Sequence, residues 1–360
     1  MGVKGKISAA QLYAVFFVSI LSSVFTSLSS EAQGSSSANR ILNVFPFLIW
    51  ASLAAVPIFL IIGKNTDQTL MSRCETLSPF LSKTAAALYA AAALWYASLG
   101  LSRFGLFMQT ELFPNKNVRL LILIFSAAAA YTASKGLETL GRTGLLFFIL
   151  LAAGILVITG ASIKYFDFAE LPPLFPTDIK GLFFGGFVTL TKSAEILSLY
   201  VLSPCVKNHG KKHYAFWVLC FSLTVCVMFT VIAGVTGAFG ERQTFQFYTL
   251  TSVAELGVLE RLDELLSGLW LLCAFLKTSF FIFLSEKCLR TSFYRTTKKL
   301  PFFVLGAAVF LLYLPVSVSE KAYKLAADPL FNGPIFIVLV LIFPTVVYFL
   351  SKRKADRRKT

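Results

Sequence analysis

The chain has 360 residues, of which 56% are hydrophobic and only 14% are charged. A soluble domain carries about 25% charged residues, so this composition excludes an ordinary soluble protein and indicates a membrane protein. The net charge of +15 alone would suggest a nucleic-acid partner, but the basic residues are dispersed between apolar segments, which excludes that class. The six cysteines form no C-x-x-C pair, so we predict no disulfide, no metal site and no cofactor.

Ten apolar segments are long enough to cross a membrane, because a spanning helix needs about 20 mostly apolar residues. In chain order these segments are 7–29, 41–63, 84–109, 118–134, 144–163, 181–204, 213–238, 264–286, 301–318 and 333–351. No long polar stretch interrupts them, so we predict a single transmembrane permease-like domain over residues 1–360. The basic N-terminus followed by an apolar run resembles a signal peptide, but the length of the run and the later spans favour a retained first span.

The basic residues are distributed unequally between the two sides of the predicted membrane domain. If the N-terminus is inside, most of the 33 Lys and Arg residues lie in inner segments. The positive-inside rule therefore predicts that both termini are cytoplasmic and that residues 352–360 form a basic cytoplasmic tail. The outer loop between spans 7 and 8 mixes apolar with acidic residues, and we expect a short interfacial helix there.

Two spans contain clusters of small and hydroxyl residues that are typical of interrupted helices. These clusters are Ser19 to Ser27 in span 1 and Gly185 to Ser193 in span 6. Because they lie five spans apart, a second five-span repeat would be inverted relative to the first, and broken helices at matching positions indicate a binding site near the midplane. We predict an all-α polytopic membrane protein with about ten transmembrane helices. They form two inverted five-helix repeats, about 7–163 and 181–351, with helices 1 and 6 broken. Half-helix N-termini and freed carbonyls at such breaks suit a zwitterionic amino acid.

Four charged residues lie inside apolar segments and should face the bundle interior, a cavity or a partner: Arg103, Lys192, Glu195 and Lys277. Lys192 and Glu195 are three residues apart, so a continuous helix would place them on one face. Two interpretations of these two residues stay open. They either form a gate or line the site as an ion pair, or they are an intrahelical pair that only satisfies itself.

Lys277 lacks a carboxylate nearby in sequence, so its partner must come from another helix, and Glu195 is one candidate. It either replaces a coupling cation or forms a plain interhelical bridge. Arg103 lies near the outer end of span 3 and either snorkels to the interface or faces a vestibule. Tyr96 is seven residues before it and therefore shares its helix face.

We predict that residues of spans 1, 3, 6 and 8 line the pocket. They are Ser22, Ser23, Thr26, Tyr96, Thr189, Thr191, Glu195 and Thr278. The sequence has no phosphate-binding loop, no dinucleotide fingerprint and no Ser/His/Asp arrangement, and both histidines lie in one loop. We therefore expect no enzymatic activity.

Four stretches resemble one family, the endospore germination permeases, which are the B-subunits (GerAB type) of nutrient germinant receptors. The matching stretches are Ile7-Ser-Ala-Ala-Gln11, Lys135-Gly-Leu-Glu-Thr-Leu-Gly-Arg142, Glu195-Ile-Leu-Ser-Leu-Tyr-Val-Leu-Ser-Pro204 and Glu255-Leu-Gly-Val-Leu-Glu-Arg-Leu-Asp263. They occur in the family's order along the whole chain. One departure stands out, since Ser22 and Ser23 occupy the broken region of span 1 where relatives carry Gly, which puts binding by a Gly-rich turn in doubt.

The resemblance implies the amino acid–polyamine–organocation superfamily fold and a location in the spore inner membrane. It also implies an A-type membrane subunit and a C-type lipoprotein subunit as partners, and the sensing of a small nutrient such as an amino acid. Two alternatives are a secondary amino-acid transporter coupled to protons through Glu195 or Lys277, and a scaffold without a ligand. Glu138 and Arg142 are four residues apart, so we expect a short cytoplasmic helix to pair them.

Overall fold

The computed structural model describes residues 6–25, 37–63, 68–114, 116–173, 175, 178–207, 210–241, 243, 245–253, 262–293, 301–317 and 319–357. Almost all of these residues are helical. The first eight helices are α1 (Ala9–Val24), α2 (Ser37–Leu42), α3 (Val44–Ile62), α4 (Leu70–Leu77), α5 (Pro79–Phe107), α6 (Arg119–Ser134), α7 (Leu137–Ser162) and α8 (Ile179–Thr191). The others are α9 (Leu199–Leu202), α10 (Lys211–Glu241), α11 (Gln246–Val253), α12 (Asp263–Ser292), α13 (Phe302–Val316), α14 (Glu320–Ala326), α15 (Pro329–Ile337) and α16 (Phe343–Arg357).

An apolar helix lies at each of the ten predicted spans. In the described parts of the chain, six helices are long and apolar enough to cross a membrane, and one bent pair forms a seventh candidate. Three shorter apolar helices, α1, α6 and α13, coincide with the predicted spans 1, 4 and 9. The structure therefore confirms a polytopic all-α membrane protein.

The sixth span is broken, as the cluster of small residues predicts. Helix α8 ends at Thr191, and the chain resumes as the helical segment Ala194–Cys205 at an angle of 49°. Ser193 has φ −91° and ψ 45°, which is outside the α region, so its backbone makes the break. The first span is helical to Val24, and the residues that follow Phe25 up to position 36 lie outside the described residues.

The segment that joins the fourth and fifth spans is short, since α6 ends at Ser134 and α7 begins at Leu137. Gly136 has φ 96°, which a side chain would oppose, and this conformation lets α7 begin immediately after α6. Glu138 and Arg142 therefore lie in the first two turns of α7, where their side chains pair at 2.5 Å. The two side chains pair as expected, but the prediction of a short cytoplasmic helix is wrong. The pair lies on α7 itself, because α7 begins directly after α6.

Strand β1 (Ile7–Ser8) pairs in parallel with strand β2 (Val206–Lys207), so the start of the first span is tied to the end of the sixth. The I-S-x-x-Q motif forms the N-terminal cap of α1, with Ser8 and Gln11 bonding each other's backbone N–H groups. In the loop between spans 7 and 8 the expected short helix is present as α11, and Phe247 and Leu250 on it are buried against the bundle.

Candidate functional site

Glu195 lies directly after the break in the sixth span, in the segment Ala194–Ser198, and it is fully buried. The Ser19 hydroxyl of α1 donates a hydrogen bond to its Oε1 atom. The same oxygen lies 3.2 Å from the ammonium nitrogen of Lys277, on α12. One carboxylate oxygen therefore joins the first, sixth and eighth spans, and Lys277 compensates the buried negative charge.

The Lys277 side chain passes alongside α5 to reach Glu195. It is buried, with 5% of the side chain exposed. Its ammonium group also donates a hydrogen bond to Ser23 Oγ at 2.9 Å. The aliphatic stem lies against Gly100, where an added Cβ would come within 3.2 Å of Lys277 Cδ. The absence of a side chain at Gly100 thus leaves room for the lysine stem beside α5.

Arg103 also contacts the C-terminal end of α1. Its Nη1 atom donates to the Ser23 carbonyl at 2.7 Å, and its guanidinium lies 5.4 Å from the centre of the Tyr323 ring. The carbonyls of a last helical turn lack intrahelical partners, so this bond caps α1. Because only 5% of Arg103 is exposed, its side chain is buried within the bundle and the snorkelling interpretation is wrong.

Two polar atoms of this cluster have no hydrogen-bond partner among the described residues: Glu195 Oε2 and the Tyr96 hydroxyl. Both are buried, and Tyr96 lies near Glu195. The Tyr96 ring is fixed by stacking on Phe281, with ring centres 6.1 Å apart. Because buried polar atoms in proteins are nearly always hydrogen-bonded to protein or to water, Glu195 Oε2 can accept a further hydrogen bond and the Tyr96 hydroxyl can donate one.

The structure does not bring all of the predicted pocket residues to this cluster. The hydroxyls of Ser22, Thr191 and Thr278 donate to carbonyls of their own helices. The Thr189 hydroxyl likewise donates to the Gly185 carbonyl of its own helix, and it accepts a hydrogen bond from the Asn43 side chain at 3.3 Å. Thr26 lies outside the described residues.

Lys192 ends the first half of the broken span as the C-cap of α8. The continuous helix that would place it on one face with Glu195 is absent, because the backbone departs from helical geometry at Ser193. The ion pair of Glu195 in the structure is the one with Lys277, which connects two spans.

Sequence reasoning misses three contributors to the cluster: Ser19, Gly100 and Tyr323. Ser19 carries a usable signal, since it precedes Ser23 by four residues and therefore shares its helix face. The contribution of Gly100 depends on the path of a side chain from another helix, and that of Tyr323 on the packing of α14 against α5. Neither leaves a pattern in the sequence.

Comparison with known proteins gives one family and one fold. A family model described as "Spore germination protein" (spore permease) matches residues 6–321. No curated protein sequence shows significant similarity to the chain.

Three solved transporter structures share the fold. The structure of MhsT in complex with L-phenylalanine is 14% identical, with a TM-score of 0.64, over 98% of this chain and 100% of that one. Mhp1, a nucleobase-cation-symport-1 family transporter with bromovinylhydantoin bound, is 13% identical, with a TM-score of 0.61. The match covers 96% of this chain and 82% of Mhp1. A Na⁺-coupled sialic acid symporter is 12% identical, with a TM-score of 0.57. The match covers 94% of this chain and 80% of the symporter. The predicted transporter fold with two inverted repeats is confirmed.

Proposed function

The chain belongs to the spore germination protein family, and on that premise we propose that it is the B-type subunit of a spore nutrient germinant receptor. It senses a small nutrient, an amino acid in the first instance, in a transporter-like pocket, and this triggers germination. Its partners are an A-type subunit and a C-type lipoprotein subunit. It lies in the spore inner membrane or cell membrane with both termini in the cytoplasm, and its role is binding rather than enzymatic catalysis.

The observation that carries this proposal is a pair of buried atoms, Glu195 Oε2 and the Tyr96 hydroxyl, that bond no other group in the described part of the chain. Leaving a buried polar group without a partner costs about 1–3 kcal/mol, and a ligand that bonds both atoms recovers that cost. A protonated amino group donates to a carboxylate oxygen, and a carboxylate accepts from a hydroxyl. An amino acid supplies both groups, and the likeness to a phenylalanine-bound structure supports that ligand class.

Binding at this point acts on three spans at once, because the cluster ties α1, α12 and the break of the sixth span together. A ligand shifts a conformational equilibrium only by its difference in affinity for the two states. A ligand ammonium at Oε2 shares the carboxylate charge with Lys277 and repels its ammonium group, which weakens the Lys277 contact with Oε1. The partner subunits would then respond to the changed arrangement of the first and sixth spans.

Tyr96→Phe separates sensing from stability. The hydroxyl makes no hydrogen bond to the described residues, so its removal should not lower the melting temperature of the purified chain. Spores carrying Tyr96→Phe should need about threefold to tenfold more nutrient for half-maximal germination, the value of one hydrogen bond. Tyr313→Phe is the matched control, since it removes a buried hydroxyl from α13, where Tyr313 packs on Gly105. Equal nutrient responses of wild type and Tyr96→Phe would count against the proposed pocket.

A proton-coupled amino-acid transporter is the second candidate, favoured by the buried Glu195–Lys277 pair and by the transporter fold. Uptake of radiolabelled amino acid into proteoliposomes containing the purified chain distinguishes the two. A sensor binds the amino acid without accumulating it when a pH gradient is imposed. Accumulation that follows the gradient, and that Glu195→Gln abolishes, would replace the receptor proposal by the transporter.

A further inference from the structure

The last span is interrupted by a π-helical turn, Val338–Ile342, between α15 and α16. A π-turn changes the backbone hydrogen-bonding pattern of a helix, and such turns often occur at functional sites. Two tyrosines from other spans bond two successive carbonyls of this turn. The Tyr89 hydroxyl of α5 donates to the Leu339 carbonyl at 2.5 Å, and the Tyr200 hydroxyl of α9 donates to the Val340 carbonyl at 2.6 Å.

These two bonds act as one unit. Tyr89 and Tyr200 are both buried, and their rings meet edge to face with centres 6.3 Å apart. Tyr200 lies five residues after Glu195 in the same half of the sixth span, Ala194–Cys205. A movement of Glu195 is therefore transmitted through a short helical segment to the bond between Tyr200 and the π-turn.

The same half-span is also held at its far end. Directly after Cys205 the chain enters strand β2, which pairs with β1 in front of α1. Ile7 of β1 is buried, and it packs against Gly141 of α7, where an added Cβ would lie 3.1 Å from Ile7 Cγ2. The second half of the sixth span is thus attached to the last span on one side and to the first span on the other.

We propose that Tyr89, Tyr200 and the π-turn form a latch that keeps the end of the bundle holding the first described residues closed to water. Loss of the two tyrosine bonds frees the half-span Ala194–Cys205 to move away from the last span and opens a water path beside Tyr89. This goes beyond the proposed function, since it assigns the residues that connect the Glu195 site to the end of the sixth span at Cys205.

Two native cysteines report on the latch, and a third serves as a reference. Cys74 and Cys288 are fully buried, and both lie near Tyr89. Cys273 is also buried on α12, but it precedes Cys288 by 15 residues, or about 22 Å along a helix. Cys273 lies one helical turn before Lys277, near Glu195 and away from the latch. Its labelling rate therefore serves as the internal reference for an increase in solvent access throughout the protein.

The test is maleimide labelling of the full chain in lipid nanodiscs with a water-soluble reagent, followed by mass spectrometry of each cysteine peptide. In Tyr89→Phe/Tyr200→Phe, labelling of Cys74 and Cys288 should become about tenfold faster or more, because two buried hydrogen bonds are lost. Labelling of Cys273 should stay at the wild-type rate.

Tyr214→Phe is the matched control. The Tyr214 hydroxyl also donates to a backbone carbonyl, but its bond, to Ala51 at 2.9 Å, joins α10 to α3 and not a tyrosine to the π-turn. Unchanged labelling in the double variant, an equal increase at Cys273, or the same increase in Tyr214→Phe would each overturn the proposal. The readout uses no nutrient, so its failure is distinguishable from failure of the proposed sensing function.

Discussion

Neutralising the two charges of the central cluster, singly and together, tests whether the Glu195–Lys277 pair holds the spans together. Lys277→Met removes the compensating charge and leaves a fully buried carboxylate, and Glu195→Gln leaves a buried ammonium group. Breaking a buried ion pair by removing one partner costs about 3–5 kcal/mol. Each single variant should therefore lose about that much stability.

The double variant Glu195→Gln/Lys277→Met should be far more stable than the single variants suggest. If the two costs were independent, the double variant would lose about 6–10 kcal/mol. Because the double variant buries no uncompensated charge, and Gln still offers an oxygen to the Ser19 hydroxyl, we expect a loss of only about 1–2 kcal/mol. The coupling energy of the pair is then several kcal/mol.

The assay is thermal unfolding of the four proteins in detergent micelles, with unfolding free energies compared as a double-mutant cycle. The exposed pair Glu138–Arg142 supplies the control cycle with Glu138→Gln and Arg142→Met, where side chains are 52% and 73% exposed and the coupling should be about 0.5 kcal/mol or less. If a single variant at Glu195 or Lys277 does not fold, recovery of folded protein in the double variant would equally show that the two charges are strongly coupled. Additive costs at Glu195 and Lys277 would refute the reasoning.

Two further substitutions test how closely the helices approach. Gly100→Val should displace the Lys277 stem and destabilise the chain by about 1–3 kcal/mol, measured as a fall in melting temperature, and the effect should largely vanish in a Lys277→Ala background. Gly144→Ala places a Cβ 2.3 Å from Val15 Cγ2 on α1, so it should destabilise by a similar amount. Val15→Ala should restore the melting temperature of that variant, and a failure to restore it would show that the contact is not the cause.

The features that follow from length and charge could be predicted from the sequence. Apolar segments of about 20 residues locate the helices because the bilayer thickness sets their length. The cost of burying an isolated charge requires a partner for Lys277, and Glu195 is a candidate for that reason. The glycine and hydroxyl cluster from Gly185 to Ser193 marks the break because small residues tolerate unwound backbone next to a cavity.

The features that fail or are missed depend on backbone geometry beyond one helix. The expected pairing of Lys192 with Glu195 assumes helical periodicity, which stops at Ser193. The bonds of Tyr89 and Tyr200 depend on a π-turn whose sequence, Val338-Leu-Val-Leu-Ile342, is indistinguishable from an ordinary apolar helix. Periodicity within one helix cannot report where a different helix exposes its carbonyls.

The structure of the chain bound to the nutrient that triggers germination tests the central claim most directly. The proposed function predicts ligand density in contact with both Glu195 Oε2 and the Tyr96 hydroxyl, which have no hydrogen-bond partner among the described residues. It also predicts a longer distance between Glu195 Oε1 and the Lys277 ammonium than the present 3.2 Å. Ligand density elsewhere in the receptor, with the Glu195–Lys277 pair unchanged, would contradict the assignment of this site.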